Sequence, residues 1–486
     1  MDDLSAPDRE ARQATATVAE ELARFAARLH PSDLPAALRD RARLHLLDAL
    51  GVGLAASGSE SAETIVRSSL AMGGEGRHAV IGRGERLGLR DAAQVNGALI
   101  HCLDFDDTHG PGVVHVSTAA VPMALAMALE TGRDGTDLLL GYLLAAETAA
   151  RIGAAAGGEF HARGFHPTGV VNAFGTALGA ARLLGLDEPA LAAAQGIALS
   201  LASGSLEFLD NGAWTKRFHA GWAASAGITA AYLAANGFTA PSRPYEGRFG
   251  LYALYTRAGA APRDAAAITR GLGEDWAFLK TGIKPIPACH FIHAFAELAA
   301  DIAAELGCAG GIPAERIESV LAIVPEGIVS VVCDPPERKH QPANAYEAQF
   351  SLPYIVATGL LEGAVTLDAL DPPALADPAT RTLAARVGYR TAQSTSFPAY
   401  FPGELIVTLR DGQEIHRRQE HQLGSDRRPL DAATIEAKFR ANAARALPCA
   451  DAVIKAVHGL ERPGGVVRLC DALAVPTRAA AGNRAP

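Results

Sequence analysis

Val18, Leu22, Phe25 and Leu29 return every three or four positions and stop at Pro31, the spacing of one apolar helix face. Ser32 and Asp33 are placed to cap a second helix carrying Leu38, Leu46 and Leu50, so the chain is expected to open with a helical hairpin. His78 to Ile81, with Gly82, Gly84 and Gly88 behind it, reads as a short extended piece and a glycine turn, and a long helical pattern follows from Asp91 to Leu103. From Thr118 to about Ala235 the pattern predicts successive Ala-rich helices, broken at Gly132 to Gly135, Gly153 to Gly169, Gly185 and the polar stretch Gly204 to Lys216. The character changes after the proline-rich Ile283 to Pro287. Arg316 to Val324 is β-rich, and Glu404 to Leu409, Asp411-Gly412, then Glu414 to His416 spell a hairpin. Beyond Pro429 the helical pattern returns through Leu447 and stops at Pro448, so a small mixed α/β unit is expected to interrupt a helical domain. Pro476 to Pro486 reads as a loose tail, and no internal repeat or heptad run is present.

Composition narrows the functional classes. At 486 residues the chain is too long for one compact core, and 49% apolar content with only 6% aromatics is the composition of closely packed helices. A net charge of -9 and no run of Lys or Arg longer than two argue against nucleic acid and anionic membrane, while two or three local cations still suffice for an anionic substrate. Cysteines 102, 289, 308, 333, 449 and 470 form no CxxC pair, which points to reduced thiols and a cytoplasmic location. Met1 to Gln13 is not a signal segment, and no apolar run is expected to reach membrane-spanning length.

The densest chemistry is His101, Asp104, Asp106, Asp107, Thr108 and His109, with His115 close behind. Three carboxylates and three imidazoles in fifteen positions are costly to bury for structure alone. With a helix ending near Leu103, His101 falls in its last turn, where the dipole favours a cation, and the acids follow in a loop where they can orient imidazoles. An ordinary solvated acidic loop carries the same residue types, and a divalent-metal hydrolase built on His101, Asp104, Asp106 and Asp107 is a further reading. His166 stands in a turn, Gly164-Phe-His-Pro-Thr-Gly169, ahead of a helix from about Val170, where backbone N–H groups can meet an anion. Lys216 and Arg217, beside Trp214 and His219 and ahead of a small-residue helix from Ala220 to Ala235, suggest a carboxylate seat or an exposed basic turn. Lys284-Pro-Ile-Pro287-Ala-Cys289-His290 holds a lysine in an extended backbone where the two domains meet, either a preorganised cation or a plain hinge. No GxGxxG after a strand, GxxxxGK[ST], GxSxG or HExxH is present, which leaves acid/base work by His, Lys and Asp, free of nucleotide cofactors, as the economical reading.

Taken in order, Asn96-Gly97, His101-x-x-Asp104-x-Asp106-Asp107-Thr108, His115, Gly164-Phe-His166-Pro, Thr215-Lys216, Lys284-Pro-x-Pro, Phe350-Ser-Leu-Pro-Tyr354, Pro429-Leu430 and Lys438-Phe439-Arg440 resemble the MmgE/PrpD family. The resemblance implies a mainly α fold with an α+β lid, the helical domain being 1–281 plus 426–486 and the α/β lid 282–425. It implies a metal-free, cofactor-independent homodimer with a site between the domains. Family members include 2-methylcitrate dehydratase, cis-aconitate decarboxylase and iminodisuccinate epimerase. The implied activity is a lyase, dehydratase or decarboxylase, acting next to a carboxylate on a small di- or tricarboxylate of the 2-methylcitrate or cis-aconitate type. Epimerisation of a small dicarboxylate is the alternative, and a binding protein without turnover a further one. Positions matching Asp104, Thr108, His115, His166, Lys216 and Lys284 would build the site. His115 and His166 would move protons, Asp104 would orient or charge an imidazole, and Lys216 and Lys284 would hold carboxylates. Thr108 would offer a hydroxyl, and His290 would bind substrate. In the decarboxylase pattern a His stands five residues after the hinge Lys; that position is Cys289 here, and the imidazole follows at His290.

Overall fold

Thr17 accepts the Glu20 N–H while the Glu20 carboxylate accepts the Thr17 N–H, a reciprocal cap that starts helix α1 (Val18–Arg28). The second expected cap does not form. Ser32 and Asp33 lie in a 3-10 turn, the Asp33 carboxylate is taken by the His30 N–H, and helix α2 (Ala36–Ala56) starts after Pro35, whose ring presets the backbone. The computed structural model describes residues 16–257, 265–308, 310–393, 395–397 and 400–475. The expectations for Met1 to Gln13 and for the tail Pro476 to Pro486 lie outside these residues.

The chain divides into two units, one of residues 1–102, 111–280 and 436–486, the other of residues 103–110 and 281–435. The first is a pack of helices. After α2 come α3 (Glu60–Gly73), a small antiparallel pair of β1 (Glu75–Ala79) and β2 (Arg86–Leu87), then α4 (Leu89–His101). The Ala-rich series follows as α5 (Ser117–Thr131), α6 (Gly135–Ala155), α7 (Pro167–Leu184), α8 (Glu188–Ala198) and α9 (Thr215–Ala235). Small side chains let these axes close in. A Cβ built on Gly97 of α4 would stand 2.7 Å from the Gly221 Cα of α9, a distance no real Cβ tolerates.

Helix α6 corrects one expectation, because its 21 residues with a mean hydropathy of 1.3 in its most apolar stretch are long and apolar enough to span a membrane. Here it is a core helix, 89% of that stretch being buried. It also carries a buried ion pair, Glu147 with Arg151, that staples the segment before the second unit. Arg151 donates to the carbonyls of Ile268 and Arg270, and Glu147 accepts the N–H groups of Ala277 and Phe278.

The second unit is built on a four-stranded sheet. Strands β3 (Thr108–His109) and β4 (Thr281–Gly282) form a short antiparallel pair in which Thr108 faces Gly282 and His109 faces Thr281. Helix α10 (His293–Glu305) leads to β5 (Ile317–Pro325), α11 (Leu352–Glu362), β6 (Val387–Ala392), β7 (Gly403–Leu409) and β8 (Glu414–Gln419). The sheet order is β6-β5-β7-β8, with β6 parallel to β5 and the other pairs antiparallel, so the predicted hairpin is the β7–β8 pair. Residues 103–110, expected in the helical domain, join this unit because the β3–β4 pair ties them there.

Helix α12 (Ala432–Ala443) ends four residues before the expected Leu447. Its Lys438 meets Asp48 of α2 at 2.7 Å, both side chains buried, and Phe439 lies where a Cβ on Gly51 would intrude at 2.8 Å. Lys438-Phe439-Arg440 is thus the stretch that closes the first unit on its own second helix.

Candidate functional site

The helical unit gathers imidazoles from four places along the chain. His101 ends α4, where residues 92–101 are all buried, and only 1% of His101 is exposed. His115 follows in the loop before α5, and its backbone is fixed three ways. Its N–H donates to Thr168 Oγ1 at 3.2 Å, and its carbonyl accepts from Thr118 Oγ1 at 2.7 Å and Asn172 Nδ2 at 3.0 Å. His166 is the N-cap residue of α7, which begins at Pro167, three residues earlier than expected because proline suits the first helical position. Its N–H donates to the Gly204 carbonyl at 3.0 Å.

These three rings meet. His101 and His166 stack at 5.4 Å and 11°, and His115 tilts against both, 4.7 Å from His101 and 6.2 Å from His166. Each ring brings one nitrogen within 4.8 Å of the other two. Lys216 comes from the first turn of α9, which starts at Thr215 rather than at Ala220, and its side chain is buried. His219, one turn further along, reaches His166, their Nδ1 atoms 3.1 Å apart.

Burial holds the His166 imidazolium well below the usual histidine range, and positive charge at His101, Lys216, His219 and His115 pushes the same way. Burial likewise takes His219 down to about 4, with His101 and Lys216 adding to it. Lys216 supplies positive charge beside these rings, and positive charge favours an anion. A small carboxylate is therefore the species this cluster suits, and it would return proton affinity to the rings.

The second unit holds the remaining predicted residues. Asp104, with φ at +48° in the left-handed region unusual for a non-glycine residue, keeps its carboxylate 3.1 Å from the Lys284 ammonium. Lys284, 1% exposed, also donates to the Asp104 carbonyl at 2.6 Å, so both ends of Asp104 are held by one cation. Gln349 donates its amide to the Leu103 carbonyl and accepts the Cys289 N–H through its own, linking residues 103–110 to the stretch after the Pro-x-Pro turn. Thr108 is buried in β3. His290 is 8% exposed, against His293 and Phe401, its Nε2 3.2 Å from the Gln422 amide nitrogen.

His101 and His115 belong to the helical unit, whereas Asp104, Asp106, Asp107, Thr108 and His109 belong to the other. The four-residue set weighed for a metal hydrolase, His101 with Asp104, Asp106 and Asp107, does not fall within one unit, and one of its carboxylates is paired with a lysine. Sequence reading named His219 only as a neighbour of Lys216 and passed over Gln349. His219 stands three positions after Lys216, the spacing that puts both on one helix face, but a helix start read at Ala220 hid that signal.

The chain is 30% identical over 435 residues to the cis-aconitate decarboxylase of Homo sapiens, covering 87% of each chain. It is 29% identical over 437 residues to that of Mus musculus, covering 87% of this chain and 86% of the relative. With the cis-aconitate decarboxylase of Aspergillus terreus the identity is 25% over 456 residues, covering 87% and 88%. Residues 20–263 match the MmgE/PrpD N-terminal domain and residues 286–461 the MmgE/PrpD C-terminal domain. Spanning most of both units, these matches make the chain a member of the MmgE/PrpD family.

Proposed function

We propose that this chain is a lyase that decarboxylates a small tricarboxylate of the cis-aconitate type by imidazole proton transfer, without a cofactor. The observation that carries the reading is the packing of His101, His115 and His166 near Lys216, where burial and nearby positive charge disfavour a proton on His166 and a polyanion would offset that charge. The names of the relatives support the choice of substrate and of CO₂ as the group lost.

The chemistry balances with this chain's residues alone. When the C–CO₂ bond breaks, its electron pair moves into the adjoining unsaturated carboxylate, and a proton on an imidazole of His115 or His166 passes to carbon. Lys216 opposes the charge that builds on the carboxylate as CO₂ leaves. Solvent then restores the imidazole proton. Asp104, held by Lys284, is assigned to shaping the loop that carries Thr108. The reading includes a cytoplasmic homodimer, the compartment supported by six free cysteines and the dimer by the family resemblance.

Proton NMR in D₂O on separate incubations with cis-aconitate, 2-methylcitrate and iminodisuccinate tests the proposal. Consumption of cis-aconitate with CO₂ release and one deuteron per product carbon protonated is expected. Water loss from 2-methylcitrate alone would replace decarboxylation by dehydration. Stereoinversion of iminodisuccinate with deuterium uptake and an intact carbon skeleton would make the chain an epimerase.

A further inference from the structure

His219 lies outside the set that the resemblance assigns, yet it faces His166 nitrogen to nitrogen, with 3.1 Å between the two Nδ1 atoms. At that distance one nitrogen must carry a hydrogen and the other a lone pair, so the two rings share a single proton and their tautomers are tied together. We infer that His219 is a positioning residue for His166, accepting its Nδ1–H so that His166 Nε2 is the nitrogen that works on substrate.

The approach of the two rings is built into the fold. Lys216 and His219 are three residues apart on α9 and so share a face. Opposite them, at the start of α7, Gly169 keeps room: a Cβ there would sit 2.3 Å from the Ser203 carbonyl oxygen and 3.1 Å from the His219 Cβ. Phe208 covers the pair, its ring 6.0 Å from each imidazole and edge-on to both. The groups that face His166 are His101 from α4, His115 from the following loop, and Lys216 and His219 from α9. His219 meets the His166 ring at Nδ1, which leaves Nε2 for chemistry.

The consequence concerns the charged intermediate of the cycle. When His166 Nε2 gains a proton, both ring nitrogens carry hydrogen, and the Nδ1–H still points at the His219 lone pair. The bond to a neutral acceptor then becomes charge-assisted and stronger. Burial and the surrounding positive charge keep His219 neutral over the working range, so it remains an acceptor when His166 is charged.

This inference rests on the proposed proton chemistry of His166, and its test has a readout that does not need turnover. His219→Leu removes the acceptor, and His219→Asn puts an amide oxygen near the place of Nδ1. Ring nitrogen NMR of ¹⁵N-histidine-labelled protein, assigned with His166→Gln, should find hydrogen on His166 Nδ1 in the unmodified protein and in His219→Asn. In His219→Leu that hydrogen should exchange rapidly or move to Nε2. The kcat for decarboxylation should fall roughly 10- to 100-fold in His219→Leu, the range for loss of a partner that orients a functional imidazole, with KM nearly unchanged. Its alkaline pH limb should move to lower pH, because the imidazolium that donates the proton has lost its acceptor. His219→Asn should restore both. An unchanged His166 ring spectrum in His219→Leu overturns the inference, and so do equal losses in the Leu and Asn variants. Absence of turnover in every protein, with the spectral change intact, would reject the proposed reaction and leave the pairing standing.

Discussion

Asp104 with Lys284 in the second unit, and His166 with its imidazole neighbours in the helical unit, are buried ionisable sets held by different physics. The first joins opposite charges at 3.1 Å, each supplying what the other loses on leaving water. The second gathers like groups near another cation, so burial and mutual field together favour neutral rings. We read the matched pair as structural and the imidazoles around a lysine as the seat of a polyanion. The comparison separates residues whose loss should cost folding from residues whose loss should cost turnover.

The sharpest break in that comparison is Lys284→Ala. It leaves the buried Asp104 carboxylate without its cation, and denaturant unfolding should show a loss of about 3–5 kcal/mol. The double variant Asp104→Leu with Lys284→Met should recover most of it, since no charge is then left buried. A single-variant loss below about 1 kcal/mol, the scale of an exposed pair, would show that the pair is not the structural element described.

His166→Ala and Lys216→Ala lie on the other side. Each should lower kcat/KM for the decarboxylated substrate about 10²-fold or more, or about 2.7 kcal/mol of transition-state stabilisation. Both should unfold closer to the parent midpoint than Lys284→Ala does. Near-normal turnover in both would remove the imidazole cluster from the chemistry.

Much of this was legible before any coordinates. The Ala-rich helices α5 to α9 follow the apolar period and the glycine breaks, and the Gly-Phe-His-Pro turn shows both the start of α7 and the place of His166. The β7–β8 hairpin was announced by Asp411-Gly412. What escaped was long-range. The Lys284 bond to Asp104 joins residues 180 positions apart, and the β3–β4 pair that takes residues 103–110 out of the helical unit spans a similar gap. Local periodicity carries no information about such partners. Hydropathy failed differently at α6, where an apolar helix long enough for a membrane is a buried core helix.

The smallest expected effect tests the central claim most directly. His166 and His219 have lowered proton affinity in the folded protein, so below about pH 6.5 the unfolded chain binds more protons. Stability from the neutral rings, present above that pH, is lost as pH falls, for His219 toward about 4. A carboxylate ligand should raise the same affinities. Calorimetric titration of propane-1,2,3-tricarboxylate at pH 6, repeated in buffers of different ionisation enthalpy, counts the protons exchanged. The account predicts net proton uptake on binding, reduced in His166→Ala. Binding with no proton exchange, or with proton release, would contradict it.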